Sequence, residues 1–75
     1  MRPPQRIARQ FGQAVKELRI SRDLTQQELA DACGLDIGYV GGIERGQRNP
    51  TLGVIHSIAS VLKTKPSDLL RAAKL

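Results

Sequence analysis

The stretch "TQQELADACGLDIGYVGGIE", residues 25–44, places two helix starts and one helix stop so close together that few folds remain open to the chain. Thr25 followed three residues later by Glu28 is the capping-box pattern, in which each side chain satisfies the other residue's unpaired backbone N–H. Leu29, Ala30 and Cys33 make one inner face, and Gly34 stands where a left-handed residue ends a helix. Asp36 is a second N-cap, with Leu35, Val40 and Ile43 spaced to face inward. With only about three residues between them, two short helices must turn sharply against each other. The second would carry Gly38, Gly41 and Gly42, each costing up to about 1 kcal/mol relative to alanine in a helix interior, so tertiary packing has to hold it.

The flanking segments are helical by the same signs. Ile7, Phe11, Val15 and Leu18, with Ala8 and Ala14 beside them, predict an amphipathic helix of about four turns, which Pro3 and Pro4 precede or open. After Gly46 the residues "QRNP" read as a loop. Thr51 then caps a helix in which Leu52, Ile55, Ile58, Ala59 and Leu62 recur at helical spacing. Pro66, Asp68, Leu69, Leu70 and Ala73 give a short fifth helix. The chain is therefore expected to be all-α, one domain over residues 1–75 with 1–5 as a flexible arm. Its 75 residues allow a single modest core, and 40% hydrophobic and 25% charged residues lie in the range of ordinary globular chains.

Net charge is +5, which favours a polyanionic partner, nucleic acid or an acidic membrane surface. Residues 1–22 hold six bases against Glu17, residues 23–44 hold five acids and no base, and residues 45–75 hold six bases against Asp68. A membrane-surface helix would gather its bases on one face of one segment, whereas here folding has to bring two basic ends together. No apolar run approaches the roughly 20 residues of a membrane span, and nothing resembles a secretory leader, so a cytoplasmic protein is expected.

Chemistry-bearing residues are sparse. Cys33 is single, excludes an internal disulfide, and reads as a small core residue more readily than as a redox sensor. His56 has no Cys or second His near it and reads as a surface or interface residue, so no metal or cofactor is expected. Gly41-Gly42 and Gly46 follow no strand and fit neither GxGxxG nor the Walker pattern. No small-molecule ligand is expected. Ser57, Ser60 and Asp68 show no triad order, and no enzymatic activity is expected.

Taken together and in order, Leu24-Thr25-Gln26, Leu29-Ala30, Gly34-Leu35, Tyr39-Val40, Ile43-Glu44-Arg45-Gly46 and Pro66-Ser67-Asp68-Leu69-Leu70 resemble the phage-repressor-type (XRE) helix-turn-helix family. The match runs from about Phe11 to Leu70. Within that family, "GYVGGIERGQRNPT" is most similar to the controller proteins of restriction-modification systems. The resemblance implies a compact five-helix bundle that binds double-stranded operator DNA as a homodimer and regulates transcription. Helix two would lie across the backbone and helix three would enter the major groove.

Carried over by position, Gln26 is the residue that orients on phosphate, with Gln27 beside it. The base-reading positions fall on Ile37, Gly38 and Tyr39, then Gly41, Gly42 and Arg45. Family members commonly have polar side chains where this chain has Ile37 and Gly38. Ile37 retains only apolar contact with a thymine methyl, and specificity would lean on Tyr39, Arg45 and DNA shape. Arg48 and Asn49 would meet phosphate. Tyr39 has an alternative reading as a packing aromatic, and "MRPPQR" reads as a solvated tail before a minor-groove arm. Arg19 and Glu44 correspond to a structural salt bridge between helix one and the end of helix three. Apolar residues left over on helices four and five, Val54, Ile58, Val61, Leu69 and Leu70, would form the dimer interface. The rival reading is a protein-binding adaptor or antitoxin-like module with weak DNA contact.

Overall fold

The computed structural model describes residues 3–75, with side chains from Gln5 onward. Five helices follow in order: α1 (Pro3–Ser21), α2 (Gln26–Cys33), α3 (Ile37–Glu44), α4 (Leu52–Val61) and α5 (Pro66–Ala72). Helix α1 packs on α3 and α5, α2 on α3 and α4, and α4 on α5. The bundle measures 31 × 24 × 21 Å. Of the residues expected as an arm, 3–5 lie in the first turn of α1, and Met1 and Arg2 lie outside the described residues.

Each helix start has a local cause. Thr25 accepts from the Glu28 N–H at 3.0 Å while the Thr25 N–H donates to Glu28 Oε1 at 2.8 Å, which completes the capping box. Asp36 Oδ2 accepts from the Gly38 N–H at 2.8 Å, and Thr51 Oγ1 from the Val54 N–H at 3.2 Å. Pro66 opens α5, whose N-cap Lys65 makes no side-chain capping bond. Helix α2 stops at Gly34, in the left-handed region with φ 69°, where the chain reverses and the Leu35 N–H returns to the Ala30 carbonyl at 2.8 Å. The end of α4 has a distant partner: Arg22, in the turn after α1, donates Nε–H to the Leu62 carbonyl at 2.9 Å.

The core joins all five helices through Phe11, Val15, Leu29, Ala30, Val40, Ile43, Ile58, Ala59, Leu62 and Leu69. Leu18, Leu24, Cys33 and Leu35 close its edges. Two expected core residues lie outside it. Leu52, in the first turn of α4, is 85% exposed, and Ile7 is 46% exposed. The inward face of α1 instead runs through Ala8, Phe11, Gly12, Val15 and Arg19, all buried. Ile58 and Leu69, expected at a dimer interface, have no accessible surface, because the core of the protomer itself takes them.

Helix α1 crosses close to α3 at Gly12. A Cβ there would collide with the carbonyl oxygen of Ile43 and stand 2.9 Å from that of Glu44, so the backbone of α1 lies directly against the end of α3. Just past α3, Gly46 takes φ 75° and a Cβ there would meet the Arg9 backbone at 2.8 Å. One turn along α1 from the Gly12–Val15 crossing, buried Arg19 donates Nε–H to Glu44 Oε2 at 2.7 Å and Nη2–H to Glu44 Oε1 at 3.1 Å, a bidentate pair. Its Nη1–H reaches the Leu24 carbonyl at 2.7 Å. Among the described residues no buried side-chain polar atom lacks a partner.

Two stability measurements check this packing. Gly12→Ala gains helix propensity but is expected to destabilise by about 1–3 kcal/mol or more in urea melts, because the overpacked atom meets backbone. Arg19→Met is expected to cost about 3–5 kcal/mol, since it leaves the Glu44 carboxylate buried without its cation. Arg19→Met combined with Glu44→Leu should regain most of that loss.

Candidate nucleic-acid interface

The α2–turn–α3 unit presents the first turn of α3 to solvent. Val40 and Ile43 point inward with no accessible surface, which rotates Ile37 and Gly38 outward; Ile37 is 41% exposed and Tyr39 is half-buried. The orientation of α3 is thus set by two apolar side chains and by Glu44, its last residue, clamped to α1. Tyr39 packs against the rim of the core and stays partly accessible.

Gln26 begins α2 and faces inward to the clamp: its Nε2–H donates to Glu44 Oε1 at 3.0 Å. One carboxylate oxygen thereby takes bonds from both Arg19 and Gln26, which ties α1, α2 and α3 at one point. Gln27 is exposed and donates to Asp31 Oδ1, one turn on, at 2.8 Å. Gly38 is open to solvent, whereas Gly41 and Gly42 are buried beneath arginine side chains. The guanidinium of Arg45 lies over Gly41, and the stem of Arg48 lies over Gly42. Both glycines are thus screened from solvent by arginine side chains.

Arg45, Arg48 and Asn49 are all exposed at the end of α3 and in the loop that follows, and Asn49 also lines a groove with Ile7, Phe11 and Pro50. Arg45 donates Nε–H to Gln47 Oε1 at 3.1 Å, and the Arg48 guanidinium stands 5.9 Å from the Tyr39 ring centre. Sequence reading passed over Gln47, whose role depends on the left-handed turn at Gly46. It also passed over Gly12, although the periodicity that puts Phe11 and Val15 inside puts Gly12 there too.

The charge pattern resolves in the same geometry. Four of the five acids of residues 23–44 have internal partners: Glu28 in its capping box, Asp31 with Gln27, Asp36 at the start of α3, and Glu44 with Arg19. The acidic middle of the chain serves its own helix ends and its clamp, while Arg45 and Arg48 keep their cationic groups toward solvent. Burial pushes the Cys33 thiol above its ordinary pKa, which disfavours the reactive thiolate. His56 is exposed, and no group of three or more His, Cys, Asp or Glu among the described residues is placed to hold a metal. No described helix is long and apolar enough to cross a membrane.

Comparison with known proteins places this geometry. Residues 15–69 match the Helix-turn-helix family HTH_3. Control protein C.BamHI of Bacillus amyloliquefaciens is 43% identical over 61 residues, which cover 80% of this chain and 75% of that protein. The immunity repressor protein of Bacillus phage phi105 is 36% identical over 59 residues, covering 79% of this chain but 41% of the repressor. The crystal structure of the restriction-modification controller protein C.AhdI from Aeromonas hydrophila superposes with a TM-score of 0.81 at 47% identity, covering 83% of this chain and 94% of that one. The chain belongs to the Helix-turn-helix family HTH_3, the phage-repressor type of DNA-binding transcriptional regulators.

Proposed function

We propose that the chain regulates transcription as a homodimer on a dyad-symmetric duplex operator, in the manner of a restriction-modification controller or a phage-type repressor. The observation that carries this reading is the outward turn of α3, Ile37 to Tyr39, flanked by the exposed cations of Arg45 and Arg48. In the docking geometry of the motif α3 lies in the major groove. Ile37 then supplies apolar contact, Tyr39 and Arg45 supply polar groups, and Arg48 and Asn49 face phosphate. With so few donors to base edges, sequence preference draws on groove shape as well as direct contact.

Self-association is supported by apolar surface left over after the core is filled. Val54, Ile55, Val61 and Leu70 are half-buried, and Leu52 and Leu75 are exposed. A shallow groove lined by Ile7, Phe11, Pro50, Ile55, Leu70 and Leu75 continues that surface. A two-fold contact here would set two α3 helices about one DNA turn apart, roughly 34 Å, which makes the preferred site a palindrome.

Selection of bound duplexes from a random library, with the winner and a scrambled control titrated across salt, tests the DNA reading. An enriched palindrome with a clear affinity margin is expected. Salt-sensitive binding without an enriched sequence, or no binding, would turn the reading toward the adaptor or antitoxin-like alternative. Tyr39→Ala should change the ranking of duplexes, while Arg48→Ala should weaken all of them and reduce the slope of log K against log salt by about one. Equal losses on every sequence for both would contradict that division.

The dimer is tested at Leu52, whose exposure frees it from any part in the core of the protomer. Leu52→Glu combined with Leu75→Glu should give an 8.2 kDa species in sedimentation and lose the preference for dyad sites. An unaltered chain that already sediments at 8.2 kDa at micromolar concentration and on DNA would remove the dimer.

A further inference from the structure

The two glycines at the middle of α3 are covered differently. A Cβ on Gly41 would meet Nη1 of Arg45 at 3.0 Å, the far end of a flexible side chain that swings clear at little cost. A Cβ on Gly42 would meet Cγ of Arg48 at 2.9 Å and Nε at 3.5 Å. The γ carbon is the root of the side chain, and it cannot move without redirecting everything beyond it. Beyond it, the Arg48 guanidinium stands 5.9 Å from the Tyr39 ring centre, within the distance at which a cation is drawn to an aromatic face. Tyr39 and Gly42 are three residues apart in one helix and so share a face. The chain turns back at Gly46, and the bare backbone at Gly42 is the path along which Arg48 crosses α3 to reach Tyr39.

We propose that Gly42 is a positioning residue: its missing Cβ makes the seat in which the stem of Arg48 lies, and the seat holds the Arg48 guanidinium beside Tyr39, ready for a DNA phosphate. The proposal rests on the DNA-binding reading. Gly42 itself touches no DNA in this arrangement. A free arginine gives up rotamer freedom when it binds, whereas one held along α3 has already given it up on folding. Glycine in a helix lowers stability relative to alanine, and here the cost is met by placing a cation.

The test compares the unaltered chain with Gly42→Ala, Arg48→Ala and the double variant. Each is titrated with the selected duplex and a scrambled duplex across salt, with thermal melts alongside. Tyr39 is the one tyrosine of a chain without tryptophan, so its fluorescence reports the ring without DNA. Gly42→Ala is expected to melt no lower than the unaltered chain, to change Tyr39 emission, and to bind both duplexes about three- to tenfold more weakly with a shallower salt slope. It should cause no further loss once Arg48 is alanine. Unaltered affinity and slope in Gly42→Ala, or an equal loss with and without Arg48, would overturn the proposal alone. Should Gly42→Ala melt lower, the double variant decides. Recovery on truncating Arg48 supports the seat, and persistent destabilisation overturns it. An unaltered chain that binds neither duplex would take down the proposal and the DNA-binding reading together.

Discussion

The bidentate pair between Arg19 and Glu44 is the interaction around which the rest of the structure is arranged. Glu44 ends α3, Arg19 lies near the end of α1, Gln26 begins α2, and the Leu24 carbonyl belongs to the turn between α1 and α2. Three helices thus meet at one desolvated carboxylate, and the turn is held by the same guanidinium. Desolvated charges are costly unless they are paired and hydrogen-bonded, and here every polar side-chain atom of the pair has a partner at hydrogen-bond distance. That requirement is directional in a way that apolar packing is not. It fixes the far end of α3 while the near end projects from the surface.

Helix α3 needs such a fixture because its sequence is a poor helix former. Three glycines in eight residues leave it little intrinsic stability. The Asp36 cap starts it, Val40 and Ile43 anchor its inner side, and the backbone of α1 presses on its last turn at Gly12. Glycine serves the fold where two backbones meet, at Gly12. It serves the surface where arginines fold over the helix, at Gly41 and Gly42.

Much of this was legible in the residues. The caps at Thr25, Asp36 and Thr51, the stop at Gly34 and the opening proline of α5 are local chemistry, written within three or four residues of where it acts. Helix existence followed from periodicity. What sequence did not disclose depends on contacts between distant segments. Leu52 has helical spacing with Ile55, Ile58 and Leu62, but it stands in the first turn of α4, and its side chain stays in solvent. Ile58 and Leu69 looked like surplus apolar surface because their burial depends on how α4 and α5 sit against the other helices. The burial of Gly42 rests on a chain reversal at Gly46 that brings Arg48 back over α3, and that of Gly41 on the Arg45 side chain folding back along the helix. Arg22 reads as one more surface cation until the end of α4 is seen beside it.

The hydrogen bond from Gln10 to the Ala73 carbonyl, at 3.3 Å, joins α1 to residues sixty-three positions later. Helix α1 packs on α3 and α5, so α1 gains one of its partners only when α5 has been made. The helix-turn-helix unit in between has short-range contacts and little loop closure to overcome, while docking of α1 against α5 carries the longest sequence separation in the bundle. Completion of the core therefore waits on α5, and until α5 is made α1 holds only the side of the bundle formed with α3.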